Sequence, residues 1–240
     1  MTPRRVGILG GMGPEATVLL MSRLIDTTPA GDDSDHVPLI VDQNPQVPSR
    51  IARLLEGRGE DPAPVLAAMA QRLELAGAEA LAMPCNTAHY YAPAIRAAVG
   101  IPLIDMIELA ADAAAARAGA GESVGVLASP ALRRIGLFDA ALARRGLVAA
   151  YAEDEGSLLA AIRAIKARRA GAEARGALAA ASAGLLAQGA KVQLIACTEF
   201  SLIADAVPVG AAGIDTLDCL VDGILDFAST QTTAARREAS

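Results

Sequence analysis

The chain carries the same short pattern in each of its halves. The segment VGIL at 6–9 recurs as VGVL at 124–127, and a Gly-Ala pair stands eight residues before both Cys85 and Cys197. Each cysteine therefore ends an equivalent apolar run of the chain. This repetition predicts an internal duplication, in which a pseudo-two-fold axis relates two similar domains and places the cysteines across the cleft between them.

Short apolar runs rich in β-branched residues alternate with longer alanine-rich stretches, which predicts an α/β fold with mostly parallel sheets flanked by helices. Strands are predicted at 6–9, 37–41, 80–83, 101–104, 124–127, 147–151 and 192–196. Helices are predicted at 14–27, 62–76, 87–99, 131–145, 155–169 and 173–187. The predicted domains are 1–104, completed by a helix at 215–229, and 105–214, and we expect 230–240 to be a frayed tail.

Composition argues against several classes of protein. The formal net charge of −6 argues against a nucleic-acid-binding surface, which is basic. No run of roughly 18 apolar residues is present that could cross a membrane. The N-terminus lacks the apolar core of a signal peptide, so we expect a cytoplasmic protein. The three cysteines show no CxxC spacing and suggest neither a disulfide framework nor a structural metal site.

Two opposed cysteines suit proton transfer on the two faces of one carbon atom. A thiolate on one side can remove a proton while a thiol on the other side returns one. We expect each cysteine at a turn from a strand into a helix, where the helix N-terminus lowers the pKa of a thiol. Asn86, Thr87 and Thr198 are helix-capping residue types that could instead bind a carboxylate. Glu199 would raise the pKa of Cys197 unless its carboxylate points away.

Other candidate residues have both a functional and a structural interpretation. The glycine turn at 10–13 either presents amides to a carboxylate or only permits a tight turn. His89 is either a proton relay or a satisfied buried histidine. Cys219, on a late apolar stretch, is interpreted as a core residue. A zinc site of Cys85, His89 and Cys197 is disfavoured because no fourth ligand is apparent.

Four segments of the chain resemble the motifs of the aspartate/glutamate racemases that work without pyridoxal phosphate. They are GILGGMGPEAT at 7–17, DQNPQVPSR at 42–50, PCNTAH at 84–89 and Cys-Thr-Glu at 197–199. The resemblance runs nearly end to end, and the paired cysteine motifs are its most specific part. The form PCNTAH looks more like the aspartate racemases than the glutamate racemases of cell-wall synthesis.

The resemblance implies a cofactor-independent racemase acting on a small acidic amino acid, aspartate first, with a cleft site and a homodimeric assembly. It carries over Cys85 and Cys197 as the two catalytic bases, and Arg50 and Lys166 as cations that face the substrate. The other substrate-binding residues in this interpretation are Gly11, Met12, Gln46, Asn86, Thr87 and Thr198. Neither a cofactor nor a metal is expected.

The chain departs from the family pattern at two places. Ala196 stands before the second cysteine, where the family usually has glycine, and Ala-Ser-Pro-Ala-Leu at 128–132 stands where relatives usually have Ala-Thr-x-Gly-Thr. Because this loop has lost hydroxyls, the identity of the substrate is not decided by the resemblance. The apolar Leu132 would favour a substrate with a bulkier or less polar side chain.

Three related activities and one unrelated function remain as alternatives. Hydantoin racemases, maleate isomerases and arylmalonate decarboxylases resemble this chain in fold and cysteines, although such a decarboxylase needs only one cysteine. A two-lobed metabolite sensor without turnover is the alternative from another class, but a sensor has no need of two symmetric thiols.

Overall fold

Two parallel four-stranded sheets form the centre of the protein. The computed structural model describes residues 3–167 and 171–229. The first sheet has the order β2-β1-β3-β4 and the second the order β6-β5-β7-β8, and all neighbouring strands run parallel. The strands are β1 (Val6–Gly10), β2 (Leu39–Gln43), β3 (Ala80–Ala82), β4 (Leu103–Ile104), β5 (Ser123–Leu127), β6 (Val148–Tyr151), β7 (Val192–Ile195) and β8 (Ala212–Asp215). The predicted fold class is therefore confirmed, with the same strand order in both halves.

Helices flank both sheets. They are α1 (Pro14–Thr27), α2 (Arg50–Leu54), α3 (Ala63–Leu75), α4 (Ala92–Ala98), α5 (Met106–Ala115), α6 (Pro130–Ile135), α7 (Leu137–Ala143), α8 (Glu155–Lys166), α9 (Ala172–Ala187) and α10 (Thr216–Ser229). Three short 3₁₀ helices lie at Asp33–Asp35, Thr87–Tyr91 and Phe200–Ala206. The last two follow the cysteines.

The repeated glycine of the VGIL and VGVL segments has a packing function. A Cβ atom on Gly7 would lie 2.9 Å from Ala78 Cβ and 3.0 Å from Leu73 Cβ. A Cβ atom on Gly125 would lie 3.0 Å from Leu185 Cδ1. An added Cβ at either position would force its neighbours to shift, so glycine favours the close packing of α3 on β1 and of α9 on β5.

Each sheet is covered by apolar side chains on both faces, which explains the near-continuous burial of its central strands. In the first half, α3 packs on one face of the sheet and α1 on the other. In the second half, α5 and α7 cover one face while α8 and α9 cover the other. The last helix, α10, returns to the first sheet, where Leu220 and Ile224 join Val6, Ile8 and Leu20 in one buried cluster. The domain boundary near residue 104 stays a prediction.

Several predicted elements differ from the structure. The predicted helix 87–99 is a 3₁₀ helix followed by the short α4, and the predicted helix 131–145 is broken at Gly136, whose φ of 66° belongs to the left-handed region. The strand predicted at 37–41 is shifted to Leu39–Gln43. The sequence did not predict several elements, among them α2, α5, β8 and the 3₁₀ helix Phe200–Ala206. The end of the predicted helix 155–169 and the predicted tail 230–240 lie outside the described residues.

Within residues 3–167 and 171–229, no helix has both the length and the apolar character needed to cross a membrane.

Candidate active site

Cys85 and Cys197 line one cavity at the carboxyl ends of two equivalent strands. β3 pairs with β1 and β7 pairs in the same way with β5. Each cysteine-bearing loop therefore leaves the carboxyl-terminal edge of its own sheet at an equivalent place. Both cysteines are only 8% exposed. The cavity has a volume of about 330 Å³ and is lined by Met12, Ser49, Arg50, Ile51, Ala52, Glu56, Arg58, Cys85, Asn86, Thr87, Ser129, Ile162, Arg163, Lys166, Ala196, Cys197, Thr198 and Glu199.

Cys197 belongs to a charged chain of three side chains. Its Sγ donates a hydrogen bond to Glu199 Oε2 over 3.0 Å, and Glu199 Oε1 lies 2.6 Å from Lys166 Nζ. Burial raises the pKa of Cys197 well above its ordinary value, and the Glu199 carboxylate raises this pKa further, while Lys166 opposes the rise. Cys197 is therefore a protonated thiol at neutral pH.

Lys166 stays charged although part of its side chain is buried. Burial alone would lower the pKa of Lys166, but the attraction and hydrogen bond of Glu199 outweigh burial and raise this pKa. Both thiols also raise it by their charge in the ionised state. The predicted substrate-facing cation thus lies in the cavity, but it is already paired with a carboxylate of the protein.

Of the two interpretations of the polar residues beside the thiols, the structure does not support helix capping. Asn86, Thr87 and Thr198 all line the cavity, but the 3₁₀ helices that follow the cysteines receive no hydrogen bond from the side chain of their N-cap residue. A 3₁₀ turn orders too few peptides to give the dipole of a regular helix. The expectation that a helix N-terminus lowers the thiol pKa is therefore wrong for Cys197. Glu199 raises the pKa of Cys197, as its position in the sequence predicted.

His89 is a structural residue of the Cys85 loop. It is 3% exposed, its Nδ1 lies 2.9 Å from the carbonyl oxygen of Cys85, and its Nε2 accepts the Met106 amide over 3.2 Å. Since Nε2 accepts, the single proton of the neutral ring is on Nδ1 and is donated to the Cys85 carbonyl. Burial lowers the pKa of His89. Both ring nitrogens are occupied, so the satisfied buried histidine is the interpretation that fits.

Arg50 reaches the cavity from the start of α2. Its Nη1 donates to the carbonyl oxygens of Val47 and Pro48, and its Nη2 donates to that of Met12 over 3.4 Å. Its Nε is buried without a hydrogen-bond partner among the described residues. Met12 is in contact with the same cavity. Arg50 therefore joins the two first-half loops predicted to bind substrate, while its positive charge meets only backbone oxygens in the described part of the chain.

Three predicted features lie beside the cavity or away from it. Gly11 lines an adjoining pocket together with Gly13. Its φ is 92°, and a Cβ there would lie 2.4 Å from the backbone of Asn44, so the tight-turn interpretation is supported. Gln46 is exposed and lines neither pocket. Leu132 is fully buried in the core of the second half, so it does not shape the cavity as expected.

Sequence reasoning missed most of the cavity-lining residues around Arg50, and it missed Arg163. Residues 49–52, Glu56 and Arg58 line the cavity from the first half, and Arg163 lines it from the second. Glu56 pairs with both Arg58 and Arg163, and the latter ion pair, at 3.0 Å, joins the two halves. Charged residues on a polar, glycine-containing stretch look like ordinary surface, so only the tertiary contact identifies them.

Ser129 retains one hydroxyl of the altered 128–132 loop in the cavity. Its Oγ accepts the amide of Leu132 at the start of α6 and lies 3.4 Å from Thr87 Oγ1. The two cysteine-bearing halves thus also meet through a pair of hydroxyls. In the described chain, no three His, Cys, Asp or Glu side chains come together as metal ligands would.

Comparison with known proteins places the chain among racemases. Residues 9–224 match the model of the family described as Asp/Glu/Hydantoin racemase. The broad specificity amino-acid racemase RacX of Bacillus subtilis (strain 168) is 31% identical over 107 residues, which are 43% of this chain and 46% of RacX. The match therefore spans about half the length of this curated relative.

Solved structures share the fold over almost the whole chain. An aspartate racemase from Picrophilus torridus superposes with a TM-score of 0.80 at 24% identity, covering 98% of both chains. An aspartate racemase homologue from Pyrococcus horikoshii OT3 superposes with a TM-score of 0.74 at 21% identity, covering 95% of this chain and 100% of the other. At these identities the likeness establishes the fold.

Proposed function

The chain belongs to the Asp/Glu/hydantoin racemase family, as its motifs predicted, and we propose that it racemises an acidic amino acid, with aspartate as the first candidate, by a two-base mechanism without a cofactor. One observation carries the proposal. Cys85 and Cys197, on equivalent loops of the two halves, line the same cavity and are both 8% exposed. A homodimeric assembly and a cytoplasmic location stay predictions.

The protonation of Cys197 supports different starting roles for the two thiols, one as acid and one as base. Racemisation needs one base that removes the α-proton and one acid that returns a proton on the opposite face. Cys197 holds its proton because burial and Glu199 raise its pKa, so it is the acid of the resting enzyme. Cys85 is then the group that removes the α-proton. After turnover the roles are exchanged, and the enzyme is ready for the other enantiomer.

The charge of the cavity supports an acidic substrate. Four cations line it, Arg50, Arg58, Arg163 and Lys166, against the two carboxylates of Glu56 and Glu199. Glu56 pairs with Arg58 and Arg163, and Glu199 pairs with Lys166. Arg50 is left as the cation whose observed partners are backbone carbonyls. A second carboxylate on the substrate needs such a partner in an enclosed site, and a guanidinium binds it with two parallel hydrogen bonds.

Deuterium incorporation at the α-carbon tests the proposal directly. Aspartate and glutamate are incubated in heavy water with the enzyme, alongside alanine and serine because the relative RacX is named a broad specificity racemase. We expect α-deuteration and loss of optical purity with aspartate in the first place. If alanine or serine react as fast as aspartate, the acidic substrate is wrong but the two-thiol mechanism stands.

Serine substitutions separate the two bases. Cys85→Ser and Cys197→Ser should each abolish racemisation, because an alkoxide is not accessible at neutral pH, while exchange of the α-proton of one enantiomer can persist. Cys219→Ser is the matched control. Burial, with Asp222, raises the pKa of Cys219 to about 11, and its side chain packs against the core of the second half. A Cys85 or Cys197 variant that racemises at the rate of the control would refute the two-base mechanism.

A further inference from the structure

One buried hydroxyl connects the two cysteine-bearing loops. Thr216, the first residue of α10, is 0% exposed. Its Oγ1 receives a hydrogen bond from Asn86 Nδ2 over 2.9 Å and donates one to the carbonyl oxygen of Ile195 over 3.0 Å. Asn86 follows Cys85 directly, and Ile195 ends β7 two residues before Cys197. A single side chain that does not line the cavity thus joins both halves of the site.

The number of protons fixes the direction of these hydrogen bonds. A threonine hydroxyl has one proton, and the carbonyl oxygen of Ile195 can only accept it. Thr216 Oγ1 must therefore act as an acceptor toward Asn86, and the amide nitrogen of Asn86 has to face it. The amide oxygen of Asn86 is left on the other side.

The other end of the Asn86 amide is available for a ligand. Asn86 is 2% exposed and lines the cavity, and its Oδ1 is buried without a hydrogen-bond partner among the described residues. A buried acceptor that lacks a hydrogen-bond partner lowers the stability of the fold, because its lost contact with water is not replaced. It suits a ligand that supplies an N–H donor, as the ammonium group of an amino acid does.

We propose that Thr216 is a positioning residue for the two-thiol reaction: its hydroxyl orients the amide of Asn86 and holds the loop of Cys85 in register with the end of β7. The proposal rests on the function proposed above. Cys85 and Cys197 follow strands of different sheets, so their separation depends on contacts between the halves. Proton transfer on both faces of one carbon tolerates little error in that separation, and a misplacement of about 1 Å can cost on the order of 100-fold in rate.

A pair of substitutions at this position tests the proposal. Thr216→Val keeps the shape of the side chain and removes the hydroxyl, whereas Thr216→Ser keeps the hydroxyl. We expect kcat/KM for racemisation to fall by about 10- to 100-fold in the valine variant and to stay within about threefold of wild type in the serine variant. Thr216→Ala removes the same hydroxyl and replaces valine if that variant does not fold.

A double-mutant cycle shows whether Thr216 acts through Asn86. In an Asn86→Ala background the hydroxyl no longer has an amide to orient, so Thr216→Val should lower kcat/KM by clearly less than it does in the wild-type background. Equal losses in both backgrounds would mean that Thr216 does not act through Asn86, and this part of the proposal would be wrong.

Ser182→Ala is the matched control for the loss of a buried hydroxyl. Ser182 is 0% exposed, and its Oγ donates to Gln193 Oε1 between α9 and β7, outside the cavity. We expect a lower melting temperature and an unchanged kcat/KM. If Thr216→Val resembles this control, or if removing the hydroxyl only unfolds the chain, Thr216 is merely structural and the proposal fails. If the wild-type chain neither racemises nor exchanges any amino acid, the proposed function fails instead.

Discussion

Glu199→Gln should shift the high-pH limb of the activity profile toward lower pH. The carboxylate of Glu199 accepts the Cys197 hydrogen bond over 3.0 Å and, after burial, is the main cause of the raised pKa of this thiol. Glutamine has nearly the same shape but no charge. The pKa of Cys197 should therefore fall in the variant, and the thiol should lose its proton at a lower pH.

The size of the shift follows from the charges. Two negative charges about 4 Å apart repel by about 4 kcal/mol at an effective dielectric constant of about 20. About 1.4 kcal/mol corresponds to one pKa unit. Lys166, 2.6 Å from Glu199 Oε1, offsets part of this repulsion in the wild type. We therefore expect a shift of at least about one pH unit.

The assay is the pH dependence of kcat/KM for racemisation, which follows the ionisation of the free enzyme. Activity needs Cys197 protonated while Cys85 is the base, so activity falls where Cys197 loses its proton. Glu56→Gln is the matched control, because Glu56 also lines the cavity and pairs with cations but makes no hydrogen bond to a thiol. A high-pH limb that stays in place in Glu199→Gln, or that moves equally in Glu56→Gln, would refute the assignment of Cys197 as the resting acid.

Three further predictions concern substrate charge, stability and strain. Arg50→Leu should lower kcat/KM for aspartate by about two to three orders of magnitude and affect neutral substrates much less, because it removes a charge-assisted contact in an enclosed site; enzyme kinetics with Arg50→Lys for comparison checks this. Burial lowers the pKa of His89, so its contribution to stability is present above the unfolded-state value of about 6.5 and is lost as pH falls; denaturant unfolding between pH 7 and 5 should show this loss in wild type and not in His89→Gln. Gly11→Ala should destabilise by about 2 kcal/mol or more, because φ is 92° and a Cβ would meet the backbone of Asn44; a melting-temperature series checks this.

Controls and contrary outcomes differ for the three predictions. Equal losses for aspartate and a neutral amino acid in Arg50→Leu would make Arg50 a structural residue of the loop. His36→Gln should keep the pH dependence that His89→Gln loses. Gly176→Ala, in α9 with open space around the new Cβ, should be neutral or slightly stabilising. A Gly11→Ala variant as stable as Gly176→Ala would contradict the strain at Gly11.

The convergence of the two cysteines could be predicted from sequence because it depends on local pattern and topology. Equivalent strands in two duplicated halves end at equivalent edges, so the spacing of Gly-Ala and cysteine was enough to anticipate their meeting. Asn86, Thr87 and Thr198 also reach the cavity, because they directly follow the cysteines, whereas Arg50 and Lys166, which line it too, were indicated only by the family resemblance. These positions follow from backbone register more than from side-chain orientation.

Side-chain orientation and contacts between distant segments could not be predicted in this way. Gln46 belongs to the same motif as Arg50 but is exposed, because one loop presents its residues in different directions. Leu132 occupies a position expected to face the substrate, yet the start of α6 directs it into the core. Thr216 is 130 residues from Asn86 in the chain, so no local pattern connects them.

The two halves differ in charge at the second position after each cysteine. Thr87 occupies this position in the first half, and its hydroxyl lies near that of Ser129. Glu199 occupies it in the second half, where it keeps Cys197 protonated and pairs with Lys166. A symmetric pair of thiols would have no reason to hold one proton on a particular side, yet a two-base reaction needs one thiol and one thiolate at the start. In the proposed mechanism Glu199 supplies that asymmetry, because a charge at short range alters the acidity of a thiol without moving the strand that carries it.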